Sequence, residues 1–205
     1  RRWTHDWREY GLQCDIGTIW NQVFLDSLND PMNPKPALGD AVQEAHELGI
    51  RAIPYYAPGC LANDLPAFQF YGEEWRREPR LEFYEWPEKT YTRLCAASNF
   101  SDYMLWGIRE AVRNHDTDGV YFDGGCPADC RNELHGCGWE DDRGWRHEQF
   151  SILATREFHK RLATMLYREV GEEYVIFEHN SDSFWLPGQT FITHHFDAEQ
   201  YKGQK

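Results

Sequence analysis

The run Asp118-Gly-Val-Tyr-Phe-Asp-Gly-Gly125 carries the first candidate chemistry in the chain. An Asp-Gly turn opens a short apolar stretch, Val120 to Phe122, which meets a carboxylate at Asp123 and is stopped by Gly124 and Gly125. A buried strand that delivers an acid to the rim of a sheet has this pattern. In a parallel α/β barrel the chemistry sits at the carboxyl ends of the strands, so Asp123 reads as catalytic, with a turn-forming Asp as the competing reading. Two later stretches offer polar groups at predicted strand ends: Glu178-His-Asn180 after Val175-Ile-Phe177, and Asp197 with Glu199 after the run 190–194. Carboxylates converging from separate strands suit glycoside cleavage, in which one protonates the leaving oxygen and another attacks the anomeric carbon or activates water. Glu199 and Glu178 are the candidates for the acid. Taken singly, each is as readily a structural ion pair.

Directly after Asp123 comes a second constellation, Gly125-Cys-Pro-Ala-Asp-Cys-Arg-Asn-Glu-Leu-His-Gly-Cys-Gly138. Thiolates and imidazole build tetrahedral zinc sites, but Cys-x3-Cys followed by Cys-x6-Cys, without a second Cys pair, is poor spacing for one. The preferred reading is a loop disulfide, or thiols packed beneath a binding loop. No metal and no cofactor are expected. Asn132, Glu133, His135 and Trp139 are then left to face a substrate. His179, His194 and His195 read as rim contacts to sugar hydroxyls, because no His-x-His follows an early strand as a metallohydrolase barrel would require. His147 and His159 read as surface or interface residues and not ligands.

The elements that would position these groups follow from periodicity. A strand is expected within 11–19, then a proline-blocked loop at 29–36. Ala37, Leu38, Ala41, Val42, Ala45 and Leu48 recur at helical spacing with Gly49 as a terminal cap, and Ile50 to Tyr56 reads as a strand running into a loop. Residues 60–98 read as a long irregular excursion with a short helix near 65–77. A helix to about Asn114 precedes the Asp123 strand, and a long helix over 147–170 precedes the strand 174–178. Alternating helices and strands point to an α/β fold of the (β/α)8 TIM-barrel type. The 205 residues fall short of the ~250 of a full barrel, so a single catalytic region spanning 1–205, a partial barrel or an excerpt of a larger domain, is expected. No phosphate-cradling glycine motif follows any strand.

The net charge of -13 argues against nucleic acid and anionic membrane surfaces as partners, and no apolar run approaches the ~20 residues of a membrane span. Aromatic residues make up 16% of the chain, with nine Trp and eleven Tyr, whose flat amphipathic rings suit the faces of sugars.

Taken together, the Asp118–Gly125 run, the Cys/His loop through Trp139, Tyr55-Tyr-Ala-Pro-Gly59 upstream, and Glu178–Gly188 and His195-Phe-Asp-Ala-Glu-Gln-Tyr201 downstream resemble the catalytic barrel of bacterial glycoside hydrolases. The group resembled is one related to glycoside hydrolase family 123, over roughly residues 37–201. The resemblance implies a (β/α) barrel, a bacterial, secreted or periplasmic setting, and hydrolysis of glycans, N-acetylhexosamine units among them. It also implies an adjacent Asp-Glu pair, from which this chain departs, because Gly124 follows Asp123. The expectation is a glycosidase with Asp123 as nucleophile or base and Glu199 or Glu178 as acid. Its carbohydrate would be held by Tyr55, Tyr121, Asn132, His135, Trp139, His179, Asn180, His195 and Asp197, with Tyr55 and Trp139 as ring platforms. Further domains of the same chain are an expected partner. A non-catalytic sugar-binding barrel and a zinc-dependent hydrolase are the alternatives.

Overall fold

The computed structural model describes residues 14–179 and 185–196. Asn180, Asp197 and Glu199, and the first part of the expected strand at 11–19, lie outside the described residues. In chain order the main elements are β1 (Ile16–Ile19), α1 (Ala37–Glu47), β2 (Arg51–Tyr56), β3 (Cys60–Ala62), α2 (Pro66–Trp75), β4 (Glu82–Glu85) and β5 (Lys89–Arg93). Then come α3 (Phe100–His115), β6 (Gly119–Asp123), the short strands β7 (Asp129–Cys130), β8 (Trp139–Glu140), β9 (Arg146–His147) and β10 (Gln149–Phe150), α4 (Ile152–Glu169), β11 (Val175–His179) and β12 (His194–Phe196).

Five strands form a parallel sheet in the order β1-β2-β6-β11-β12, curled as part of a barrel. Helices α1, α3 and α4 are the crossovers between successive strands of the sheet, and each carries an apolar stripe at helical spacing: Leu38, Val42 and Ala45 on α1, Met104, Ile108 and Ala111 on α3, Phe158, Leu162 and Leu166 on α4. These stripes pack on Ala52, Tyr56, Val120, Phe122 and Ile176 to make the main core. A fully buried Phe122 or Ile176 contributes roughly 1.5–3 kcal/mol from its removal from water. The opposite, inner face of the sheet is carried by the alternate residues, Ile53 and Tyr55 on β2, Tyr121 on β6 and Val175 on β11, with Phe177 packed against them. Across it runs a row of rings, with Tyr55 stacked on Trp20 at 5.1 Å and on Tyr121 at 5.2 Å, Tyr121 on Phe177 at 5.4 Å, and Phe177 on His194 at 5.9 Å.

Strand β6 is fastened where it begins. The Asp118 carboxylate accepts the Ala52 N–H at 2.7 Å and pairs with His46 Nε2 at 2.8 Å, joining α1, β2 and β6. Gly119 follows because a Cβ there would lie 1.8 Å from the Val175 carbonyl oxygen.

Three expectations need correction. The excursion over 60–98 is ordered as an antiparallel sheet β3-β5-β4, in which Phe83 stacks on Tyr91 at 5.4 Å; its mixed charged and aromatic sequence hides the period-2 pattern. Helix α4 starts at Ile152, later than 147, because Arg146–His147 and Gln149–Phe150 are committed to pairing with β8 and β7. The last described strand is His194–Phe196, displaced from 190–194, because the helical turn Leu186–Gln189 is continued by Phe191 and Ile192, whose N–H groups bond back to the Gly188 and Gln189 carbonyls.

Candidate active site

Asp123 is the last residue of β6 and shares the inner face with Tyr121. In the parallel register it lies beside His179 of β11, and Tyr121 lies beside Tyr55 of β2. Both neighbours bond to the acid. Tyr55 Oη donates to Asp123 Oδ2, and His179 Nδ1 lies 3.1 Å from Asp123 Oδ1, where a carboxylate acceptor places the ring proton on Nδ1. The Tyr55 ring is buried between Trp20 and Tyr121. Burial first, then the bond to Asp123, pushes its hydroxyl far above the ordinary tyrosine range, so it remains a donor at any working pH. The His179 side chain is 9% exposed and that of Asp123 46%, so the acid alone of the three opens broadly to solvent.

Asp123 and His179 border a cleft of about 490 Å³ at the carboxyl ends of the strands. It is lined by the loop Gly124–Ala128, by Arg77, Arg93 and Leu94, and by the apolar rings of Phe100 and Phe158. Arg77 is fixed by an ion pair to Asp129 and donates through Nε to the Asp129 carbonyl at 2.8 Å. The Arg93 guanidinium lies 4.5 Å over the Phe83 ring. An anchored acid, two guanidinium groups and apolar rings form a site suited to a polar, hydroxyl-bearing ligand.

Other predicted site residues lie elsewhere. Glu178 pairs in register with Phe122, on the helix side of the sheet, is 0% exposed, and lies 3.6 Å from buried His159. It has no access to a substrate in the cleft. The sequence already contains the reason: in Val175–His179 the residues 175, 177 and 179 share one face and 176 and 178 the other. Room for the Glu178 carboxylate comes from Gly125, whose added Cβ would meet Oε1 at 2.5 Å. His159 is a core residue and not a surface one; burial pushes it down to about 4, and its neutral ring donates from Nδ1 to the Thr155 carbonyl at 2.9 Å.

Asn132 is buried, and its side chain is spent on structure, accepting the Leu134 N–H and donating to the Glu73 and Arg76 carbonyls. His135 turns away from the cleft toward Cys130. Trp139 is exposed, stacks on His147 at 4.5 Å and does not line the cleft. Tyr55 serves Asp123 through its hydroxyl and offers no open face for a sugar, while His195 is exposed on β12.

The Cys/His loop gathers differently from its spacing. Cys130, His135 and Cys137 meet Cys95, which follows β5, and Cys126 lines the cleft instead. The Cys95 and Cys137 sulfurs are 3.8 Å apart, well beyond the ~2.05 Å of a disulfide, so the pair is two thiols. Cys95 and the cleft arginines Arg77 and Arg93 are the residues that sequence reasoning missed. No local motif marks them, because they enter from segments far from Asp123 in the chain.

Sequence comparison matches no known protein family and no curated protein. Solved structures match in fold. A glycoside hydrolase family 36 α-galactosidase, AgaA from Geobacillus stearothermophilus, superposes with a TM-score of 0.60 at 12% identity, over 93% of this chain and 27% of that one. Ega3 from Aspergillus fumigatus, solved with galactosamine, gives 0.57 at 17% identity, over 93% of this chain and 62% of that one. The α-galactosidase of Thermus thermophilus, solved with stachyose, gives 0.53 at 15% identity over 83% of this chain, which spans 34% of its length. The chain thus spans less than two thirds of each of these neighbours. What they share with it is the fold: a curled parallel sheet with covering helices, part of a TIM-type barrel.

Proposed function

We propose that the protein is a glycoside hydrolase whose catalytic nucleophile or base is Asp123. The observation that carries this reading is the placement of Asp123 at the carboxyl end of a barrel strand, held by Tyr55 and His179 and open to the cleft. A carboxylate fixed on both oxygens has a defined direction of attack on an anomeric carbon or on a water. The second acid is proposed to be Glu199 or Asp197, which follow β12 in the sequence, since Glu178 is enclosed by the core. The relation to the family 123 group rests on the sequence motifs quoted above, and specificity for acetamido sugars is part of that proposal.

The test uses a panel of p-nitrophenyl α- and β-glycosides, galactosides and N-acetylhexosaminides included, together with reducing-end release from polysaccharides. Turnover by the wild type and a fall of at least about 10³-fold in kcat for Asp123→Asn, with the melting temperature retained, is the expected result. Near-native turnover in Asp123→Asn refutes the assignment. Calorimetric binding of oligosaccharides without turnover of any substrate replaces it with the non-catalytic barrel.

A further inference from the structure

We propose that Cys95, Cys130, His135 and Cys137 bind one zinc ion, which fastens the loop after Asp123 to the segment after β5. The four ligand atoms lie within 4.8 Å of one another. Cys95 Sγ is 3.8 Å from Cys137 Sγ, and Cys130 Sγ is 3.4 Å from His135 Nε2. Zn–S bonds of about 2.3 Å and a Zn–N bond of about 2.0 Å in a tetrahedron give edges of about 3.8 Å between sulfurs and about 3.5 Å between sulfur and nitrogen. These two separations match the edges, and the sulfur pair lies well beyond the length of a disulfide.

The surroundings are those of a built site. His135 Nδ1 donates to the Glu74 carbonyl at 2.6 Å, which turns Nε2 toward the sulfurs and fixes the tautomer a metal ligand needs. The Asn132 N–H points at Cys130 Sγ at 3.4 Å, and the Asn132 side chain holds the same stretch of chain to Glu73 and Arg76. Gly136, at φ +76, closes the turn that returns the chain from His135 to Cys137. The three cysteines are buried, and four protein ligands fill a tetrahedron with no position left for water, which is the structural and not the hydrolytic type of zinc site. On binding, the thiol protons leave to solvent and the ion takes thiolate sulfurs and the neutral imidazole. The absence of metal expected from spacing is thereby revised, because the fourth ligand, Cys95, enters from a separate segment.

The site has a mechanical consequence. Two segments line the cleft, one through Arg93, Leu94 and Ala96 and the other through Cys126, Pro127 and Ala128. Cys95 lies within the first segment and Cys130 follows the second, so the ion would tie these two lining segments together.

Full-length protein purified under reducing conditions from zinc-supplemented medium is expected to contain about one zinc per chain by mass spectrometry of the metal. Cobalt exchange is expected to give the charge-transfer and intense visible bands of a tetrahedral thiolate site. Cys95→Ser and Cys137→Ser should lose most of the metal, Cys14→Ser should keep it, and His135→Cys, which restores four ligands, should also keep it. Zinc removal should raise hydrogen exchange in residues 124–151. A wild type with no more than about a tenth of an equivalent of zinc and no cobalt thiolate band overturns the proposal, as does a Cys95–Cys137 disulfide found by peptide mapping. These readouts are independent of glycoside turnover, so they stand or fall apart from the assignment of Asp123.

Discussion

Tyr55→Phe isolates one hydroxyl. The ring stays between Trp20 and Tyr121, at 5.1 and 5.2 Å, so the stack and the inner face are retained while the donor to Asp123 Oδ2 is lost. A hydrogen bond to a charged group contributes about 1.5–3 kcal/mol at most. The Asp123 side chain is 46% exposed, so water can take the vacated position, and the net loss of stability is expected to stay below about 1 kcal/mol. Catalysis is affected differently. With Tyr55 gone, His179 at 3.1 Å is the remaining fixed donor, on Oδ1, and the carboxylate gains freedom about its terminal torsion. A fall in kcat of about tenfold or more is expected, up to the ~150-fold that 3 kcal/mol represents, with KM changed less than about threefold. The assay is steady-state hydrolysis of whichever aryl glycoside the wild type turns over, alongside thermal melting. A variant with kcat within about twofold of wild type, while Asp123→Asn is inactive, refutes the role of Tyr55 in aiming the acid.

Gly119→Ala is expected to prevent folding or to cost more than about 4 kcal/mol, because the new Cβ would lie 1.8 Å from a backbone oxygen of β11 that has no freedom to move; soluble yield and urea denaturation report it. His159 gives a pH dependence. Its folded pKa of about 4 lies below the ordinary 6.5, so between these values the unfolded chain binds more protons and stability rises with pH. Acidification from pH 6.5 toward 4 should therefore remove stability at up to about 1.4 kcal/mol per unit from this residue, about 3 kcal/mol in all. Urea titrations of wild type and His159→Phe across that window should show a shallower slope in the variant, and equal slopes would refute the attribution.

The helices and parallel strands were legible in the sequence because their apolar periodicity is set by burial of one face. Helix α1 at Ala37–Glu47 and strand β6 at Gly119–Asp123 were read within about a residue of their ends. The β3-β5-β4 sheet was not, since its outer strand β4 is mostly exposed and carries Glu82, Tyr84 and Glu85 without alternation. At the site, Asp123 was legible as a strand-end acid. Its partner Tyr55 was named for the wrong part of its side chain, because sequence shows a ring but not which atoms a neighbouring strand covers. Glu178 has the residue type of a catalytic acid, but strand parity turns it to the helix side of the sheet. Cys95 stayed hidden because a cluster assembled from two segments leaves no spacing to recognise.

Strand β6 begins just after one carboxylate and ends on another. Asp118 grips Ala52 N–H and His46 at the start, and Asp123 meets Tyr55 and His179 at the finish. Five residue steps of about 3.3 Å separate the two, so the strand works as a ruler of nearly fixed length between an anchor on the amino end of the sheet and the Asp123 carboxylate on its rim. A slip of one residue would release both ends at once and turn Asp123 into the helix layer. Loops around the cleft can therefore vary in length and composition while the position of the acid is held by the backbone, and substitutions at Asp118, on the far side of the sheet, act on the cleft through that spacing.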